Sequence, residues 1–338
     1  MPKPSEFTSA DANVTLFHMT PPPASGAPSS SRTTTPSGGH SRESSTTDSI
    51  RSRDNKWLKM FRAALRGTGP DSEEPIAVEG PKLVEEAVRA GLQTEALLVS
   101  ESGEAHLDPI LRAAGATETG ISRSRILRTT DKLFAGVAGT ETPQGVAALF
   151  RQPQWTFDHV LRGAPSPDGS LRAESPLVVV LAAIQDPGNV GTILRSAEAF
   201  GASGAVATRG TADPWSPKSV RASAGSALRL PILRGLAAPV LLAQLRMAKV
   251  RLYSASARHS SEYSPSGTAA ADFRASCAIF IGSEGHGLPH EIETAADASI
   301  SIPMIDAVES LNAAVAASVV LYEAARQRRS AEESRGTL

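Results

Sequence analysis

Hydrophobic positions along this chain fall into two kinds of segment, and the two kinds alternate. Short stretches such as Leu177 to Ile184 and Ala278-Ile279-Phe280-Ile281 are apolar without interruption, the pattern of parallel strands covered on both faces. Between them lie longer segments whose apolar residues recur at helical spacing. In the C-terminal half the predicted order is strand 177–184, helix from Asn189 to Phe200 ended by Gly201, strand near Ala205 to Ala207 and helix near Pro217 to Ser226. It continues with a strand at Ile232-Leu233, a helix at Val240 to Ala248, strands at Arg251 to Ser254, Ala278 to Ile281 and Ile300 to Met304, and a helix from Ser310 to about Arg328. Such alternation predicts an α/β fold with a mostly parallel sheet.

The upstream half alternates in the same way. Asn55 to Arg66 places Trp57, Leu58, Phe61 and Leu65 on one side of a helix, with Lys56, Lys59, Arg62 and Arg66 between them. Strands follow at Pro75 to Val78, Ala96 to Val99 and Gln144 to Phe150, with helices at Pro81 to Ala90, Asp108 to Ala114 and Arg123 to Arg128. This predicts a small α/β domain over residues 48–151. Residues 152–176 hold Pro153, Pro165, Pro167 and Pro176 and are read as a linker. The second domain then occupies residues 177–338. Residues 1–47 contain 25 Ser, Thr or Pro, too few apolar groups to offset the entropy of ordering, and are expected to be a disordered tail.

Composition narrows this picture. With 34 Lys+Arg against 35 Asp+Glu the chain has no global basic field, which leaves only a local patch for any nucleic acid. A single cysteine, Cys277, excludes a disulfide framework and suits a reducing, cytoplasmic setting; its place at the start of an apolar strand reads as a small buried residue. No apolar run approaches a membrane span, so no membrane partner is expected. His286 and His290 lie four apart, but Gly287 and Pro289 break the helix that would align them, and no metal site is expected. Asp306 and Glu309 read as a solvated loop ahead of a helix N-terminus.

Three polar clusters close the strands of the second half. The first is Gln185-Asp186-Pro187-Gly188-Asn189-Val190-Gly191-Thr192, followed by Arg195, with Asn189 placed either to cap a helix or to reach a substrate. The second is Gly282-Ser283-Glu284-Gly285-His286-Gly287. It lacks the Gly-Lys-Ser/Thr ending of a nucleotide-triphosphate loop, so its glycines are read as permitting close backbone approach of some other ligand. The third joins Ile302-Pro303-Met304 to Ser310-Leu311-Asn312, a strand end and a helix start.

In order and spacing these clusters resemble the three motifs of the SpoU/TrmH family of RNA ribose 2′-O-methyltransferases, within the SPOUT superfamily. They stand here as D-P-G-N-V-G-T-I-L-R, G-S-E-G-H-G-L, and I-S-I-P-M followed by S-L-N. Val78-Glu79-Gly80-Pro81-Lys82-Leu83-Val84 is similar to the start of the small substrate-binding domain that many members carry ahead of the catalytic one. The resemblance implies a SPOUT-like domain with a C-terminal trefoil knot, a homodimer whose active site uses both subunits, and S-adenosyl-L-methionine as cofactor. It assigns Asn189, Arg195, Glu284, Ser310 and Asn312 to the catalytic neighbourhood, and Gly282, Ile302, Met304 and Leu311 to the cofactor. Lys218 and Arg221, in Pro217 to Ser223, would lie near RNA. The implied reaction is methyl transfer to a ribose 2′-hydroxyl, with 23S ribosomal RNA as the expected substrate and transfer RNA as the alternative.

A ribose hydroxyl is a poor nucleophile, so such an enzyme must align it with the activated methyl and help remove one proton. Arginine is a poor base, so Arg195 is expected to bind the hydroxyl and a neighbouring phosphate, oriented by Glu284 and Asn189, with phosphate or solvent taking the proton. One departure stands out: Ala313-Ala314 follows S-L-N where many members have Val-Ser. Two other classes remain open at this point: a non-catalytic RNA-binding module of the same fold, and a methyltransferase for small molecules or proteins.

Overall fold

Two sheets organise the chain, and strand alternation sorts each of them between two cores. The computed structural model describes residues 49–67, 75–115, 126–165, 175–255, 266–267, 271–305 and 310–336. The expected tail at 1–47 and the pair Asp306 and Glu309 lie outside those residues.

The first sheet is formed by β1 (Ser49–Ile50), β2 (Ile76–Glu79), β3 (Thr94–Ser100), β4 (Ile126–Thr129) and β5 (Val146–Phe150), in the order β1-β4-β3-β5-β2. Its ladders are parallel except the two that β5 makes with β2 and β3. Helices α1 (Lys56–Arg66), α2 (Pro81–Arg89), α3 (Leu107–Gly115) and the short α4 (Asp131–Ala135) cover it. On β5, Val146, Ala148 and Phe150 face one buried cluster while Ala147 and Leu149 face another, built with Leu58, Phe61 and Leu65 of α1. Asn55 starts α1 by accepting the Trp57 amide, and Gly67, in the left-handed conformation at φ 64°, ends it.

The second sheet holds β6 (Leu177–Leu181), β7 (Gly204–Thr208), β8 (Ile232–Leu236), β9 (Arg251–Ala255), β10 (Ser266–Gly267), β11 (Cys277–Ile281) and β12 (Ala298–Ser301). Its order is β10-β12-β9-β11-β6-β7-β8, and every ladder is parallel. All five residues of β6 and of β11 are buried. Leu177, Val179 and Leu181 join the core under α6 (Pro187–Ala199), whereas Val178 and Val180 join a second core with α5 (Phe157–Arg162) and α9 (Ala238–Met247). Continuous apolar runs are thus strands with a helix layer on each face. Helices α7 (Pro217–Ala222), α8 (Ser226–Arg229), α10 (His290–Ala295) and the long α11 (Ala313–Gly336) complete this part.

The two sheets share one buried cluster, joined where α7 lies against β2 and α1. Arg229 of α8 reinforces the seam: it grips both carboxylate oxygens of Glu198 on α6 at 2.7 Å and reaches Glu86 of α2 at 2.7 Å.

Several expectations change. Residues 126–128, the end of the helix predicted over Arg123 to Arg128, lie in β4, because Ile126 and Leu127 pair with Leu97 and Leu98 inside the sheet. The predicted helix over Pro217 to Ser226 breaks into α7 and α8 at Ala224 and Gly225, both with positive φ. The stretch read as a linker carries α5, whose Thr156 and His159 form a reciprocal capping box and whose Val160 is fully buried. Proline content there hid a helix that packs Val160, flanked by Phe157 and Leu161, onto the sheet.

Candidate functional site

In a parallel sheet, loops leaving the carboxyl ends of adjacent strands emerge side by side, and a crevice opens where the chain departs in opposite directions. Here β6 leads to β7 on one side, while its other neighbour, β11, lies next to β9. Leu181 and Ile281 are register partners, and the Ala182 amide bonds the Ile281 carbonyl at 2.8 Å. The Asn189 and Glu284 segments therefore start from the same point on the sheet although far apart in sequence.

They meet directly. Asn189 Nδ2 donates to Glu284 Oε1 at 3.1 Å, and Asn312 Nδ2 donates both to Glu284 Oε1 at 2.5 Å and to Asn189 Oδ1 at 3.1 Å. Glu284 also accepts the Ala313 amide at 3.2 Å, so one carboxylate faces the first turn of α11, where the exposed N–H groups favour negative charge. Asn312 is the N-cap of that helix: its Oδ1 accepts the Ala314 and Val315 amides at 3.0 and 3.2 Å. One oxygen of Glu284 thus gathers both asparagines and the helix amide, and the three sequence clusters converge at one point.

A cleft of about 740 Å³ opens beside this triad, a size typical of small-molecule sites. Gly282, Ile302, Met304 and Leu311, the four predicted cofactor residues, all line it, together with Glu284 and Ser310. Gly282 must be a glycine, since a Cβ there would lie 2.6 Å from the Leu288 amide and closer still to the Gly287 carbonyl. The 283–287 loop is closed by reciprocal backbone bonds between Ser283 and Gly287. His286 and His290, read as loop histidines, line the same cleft, His290 as the first residue of α10. Sequence reasoning missed the contribution of β9, whose Ser254 and Ala255 form part of the wall. A signal for it exists, because β9 is another parallel strand ending at this edge.

For Asn189 the sequence allows either a helix cap or a ligand contact, and the structure separates the two. Asp186 is the N-cap of α6, accepting the Gly188 amide at 3.0 Å, which frees Asn189 to project toward Glu284. Lys218 Nζ donates to Asp186 at 2.8 Å, and this bond, then the Gly188 amide, hold the Asp186 carboxyl below the usual carboxylate range. Lys218 and Arg221 both lie exposed on α7, close to α6 because Gly191 has no side chain. A Cβ at Gly191 would stand 2.6 Å from Ala222 Cβ and would strike the Ser219 carbonyl.

Arg195 takes a different place. Six residues beyond Asn189, it points about 120° away from it around the helix axis at 100° per residue. It is exposed between the contact to α7, made at Gly191, and the contact to α11, made where Ser196 and Ser318 hydroxyls meet at 2.6 Å. Within the chain Glu284 and Asn189 orient each other and Asn312, and none of these bonds involves Arg195. A second cavity, of about 380 Å³, borders the other side of the triad and is lined by Asn189, Thr192, Asn312, Ser318, Val319 and Tyr322.

Cys277 is buried, and burial pushes its thiol up to about 11, which fits a packing residue rather than a nucleophile. No helix among the described residues is long and apolar enough to cross a membrane.

Comparison with known proteins places the chain among RNA methyltransferases. Residues 176–322 match the model of the SpoU rRNA Methylase family, and residues 71–148 match an MRM3-like substrate binding domain. The chain is 30% identical over 274 residues to the 23S rRNA (guanosine(2553)-2'-O)-methyltransferase RlmP of Bacillus subtilis, spanning 81% of this chain and 97% of that one. Among solved structures it is similar to an AdoMet-bound rRNA methyltransferase from Sinorhizobium meliloti, with TM-score 0.67 and 27% identity over 82% of this chain and 97% of that one. It is also similar to the SpoU methyltransferase AviRb from Streptomyces viridochromogenes in complex with AdoMet, with TM-score 0.65 and 26% identity over 82% of this chain and all of that one.

Proposed function

Because the chain belongs to the SpoU rRNA methylase family, we propose that it is an RNA ribose 2′-O-methyltransferase acting on 23S ribosomal RNA with S-adenosyl-L-methionine as cofactor. One observation supports this most strongly: the residues of three separate segments, Asn189, Glu284 and Asn312, bond to one another at the edge of the cleft that Gly282, Ile302, Met304 and Leu311 line. A backbone-rich cleft of this size fits the nucleoside part of the cofactor, with Gly282 permitting close approach. When bound, S-adenosyl-L-methionine supplies a methyl group already activated by its sulfonium.

The chain's own residues then have to place the ribose and manage one proton. Glu284, held by two asparagines and a helix amide, fixes the Asn189 and Asn312 side chains at the cleft rim, with Ser310 nearby on the wall. Arg195 binds the ribose hydroxyl and an adjacent phosphate, stabilising the developing alkoxide, while phosphate or solvent accepts the proton. Lys218 and Arg221 lie on the RNA side of α6. Since Arg195 lines neither cavity within one chain, the site is completed in a homodimer. Val315, Val319 and Tyr322 are 49%, 39% and 51% exposed at helical spacing on α11, an apolar stripe beside the second cavity that a second copy would cover. The division into a small RNA-binding domain ahead of a knotted catalytic domain, and a cytoplasmic location, belong to the same reading.

The test is incubation of the full chain with methyl-labelled S-adenosyl-L-methionine and unmodified 23S rRNA transcript, followed by alkaline hydrolysis. Label in alkali-resistant dinucleotides supports ribose methylation. Label in mononucleotides alone, the product of base methylation, or no label in the transcript overturns it.

A further inference from the structure

The basic helix α1 is not used by the methyl-transfer site, and it precedes the segment that matches the substrate binding domain. Residues 51–66 carry six cations, Arg51, Arg53, Lys56, Lys59, Arg62 and Arg66, against a single carboxylate, Asp54, in a chain whose net charge is -1. At 100° per residue Lys56, Lys59, Arg62 and Arg66 fall within about 120° of the helix circumference. The opposite side, Leu58, Phe61 and Leu65, is buried in the core. Lys56, Lys59 and Arg66 are exposed, and the pair Lys59–Asp54 at 3.3 Å is between two exposed groups, so it holds its lysine weakly.

The position of this face matters as much as its charge. The C-terminal end of α1 abuts α7: a Cβ at Gly67 would touch Pro217, the first residue of α7. Gly139 lies between the two helices, within reach of both the Leu65 carbonyl and Arg221 Nη1. The end of α1 that bears Arg66 thus lies beside α7, the helix of Arg221 and Lys218, and α7 in turn packs on α6, which carries Arg195 and Asn189. On the proposed reading of the site, on which this inference rests, that line ends at the reacting ribose.

We propose that the exposed face of α1 is an RNA-phosphate track which continues through α7 to the methyl-transfer site. RNA supplies the closely spaced negative charges that match a row of cations about 15 Å long. The track adds affinity and register without base recognition, as phosphate contacts do.

The experiment compares the full-length wild type with K56Q/K59Q/R66Q, using naked unmodified 23S transcript at several salt concentrations. KM for transcript should rise at least about tenfold, and the salt dependence of log affinity should flatten by about 2 to 3, because three phosphates are no longer neutralised. Turnover at saturation, melting temperature and S-adenosyl-L-methionine affinity should be those of the wild type, and K56R/K59R/R66K should restore binding. Unchanged KM and salt slope, with wild-type activity intact, overturns the track while leaving the methyltransferase reading in place. Loss of binding to assembled large subunits but not to naked transcript assigns the face to a ribosomal protein and overturns it as well. A wild type that transfers no methyl to RNA refutes the reading beneath.

Discussion

Asn312 Nδ2 lies 3.1 Å from Asn189 Oδ1, joining two residues 123 positions apart, and both side chains donate to the same oxygen of Glu284. Asn312 does this while capping α11 with its other side-chain atom, so one residue combines a structural task with an organising one. The two tasks are separable. Asn312→Ser keeps a cap of similar strength but removes both side-chain donations. It should melt close to the wild type and lose methyl transfer, whereas Asn312→Ala should in addition lose about 1 kcal/mol of stability. Thermal unfolding alongside methyl-transfer rates checks this, and an active Asn312→Ser would show that the triad is only a cap.

Gly191→Ala tests the seam between α6 and α7. The added methyl would be driven into Ala222 and the Ser219 carbonyl, and α7 is the element that carries Lys218 and Arg221. Overpacking of this kind costs about 1–3 kcal/mol, and the displaced helix should also weaken RNA binding. Urea unfolding and RNA affinity should change together; a variant of wild-type stability would mean that α7 is free to move.

Cys277 predicts an alkaline dependence. Its thiol is raised from 9.0 to about 11, first by burial, so the folded chain keeps the proton to higher pH than the unfolded chain does. The contribution is intact below pH 9 and is lost as pH climbs toward 11, by up to about 3 kcal/mol. Urea midpoints of wild type and Cys277→Ala, measured from pH 8 to 11, should show the wild type falling relative to the variant above pH 9. Parallel profiles would contradict the assignment. At pH 8 the native thiol should not react with Ellman's reagent.

Association through α11 has its own readout. Tyr322→Glu places a charge in the exposed stripe formed with Val315 and Val319. Light scattering should record a dimer for the wild type and a monomer for the variant, with methyl transfer lost and S-adenosyl-L-methionine binding retained. A wild-type monomer with full activity would dismiss the shared site.

Much of the catalytic sheet could be read from the sequence because parallel strands buried on both faces have no polar positions: β6 and β11 are apolar throughout, and their ends mark the loops that matter. The residues of the cleft were legible through motif order, not through spacing, since nothing local brings Asn189 to Glu284; the register of β6 with β11 does that. Elements with weak local signals were missed. In β4, Arg128 and Thr129 interrupt the apolar pattern, yet Thr129 is buried through a hydrogen bond to the Ile50 carbonyl. Helix α5 was obscured by flanking prolines. Arg195 lies on the expected helix, but Asn189 and Glu284 bond each other and Asn312 rather than Arg195, because sequence separation along a helix does not say which neighbours share its face.

The role of Arg195 is tested most directly by Arg195→Ala assayed for both cofactor binding and methyl transfer in one preparation. S-adenosyl-L-methionine affinity should stay within about twofold of wild type while turnover on 23S transcript falls by about 100-fold or more, as when a group stabilising developing charge is removed. Near-normal turnover with intact cofactor binding would contradict that role.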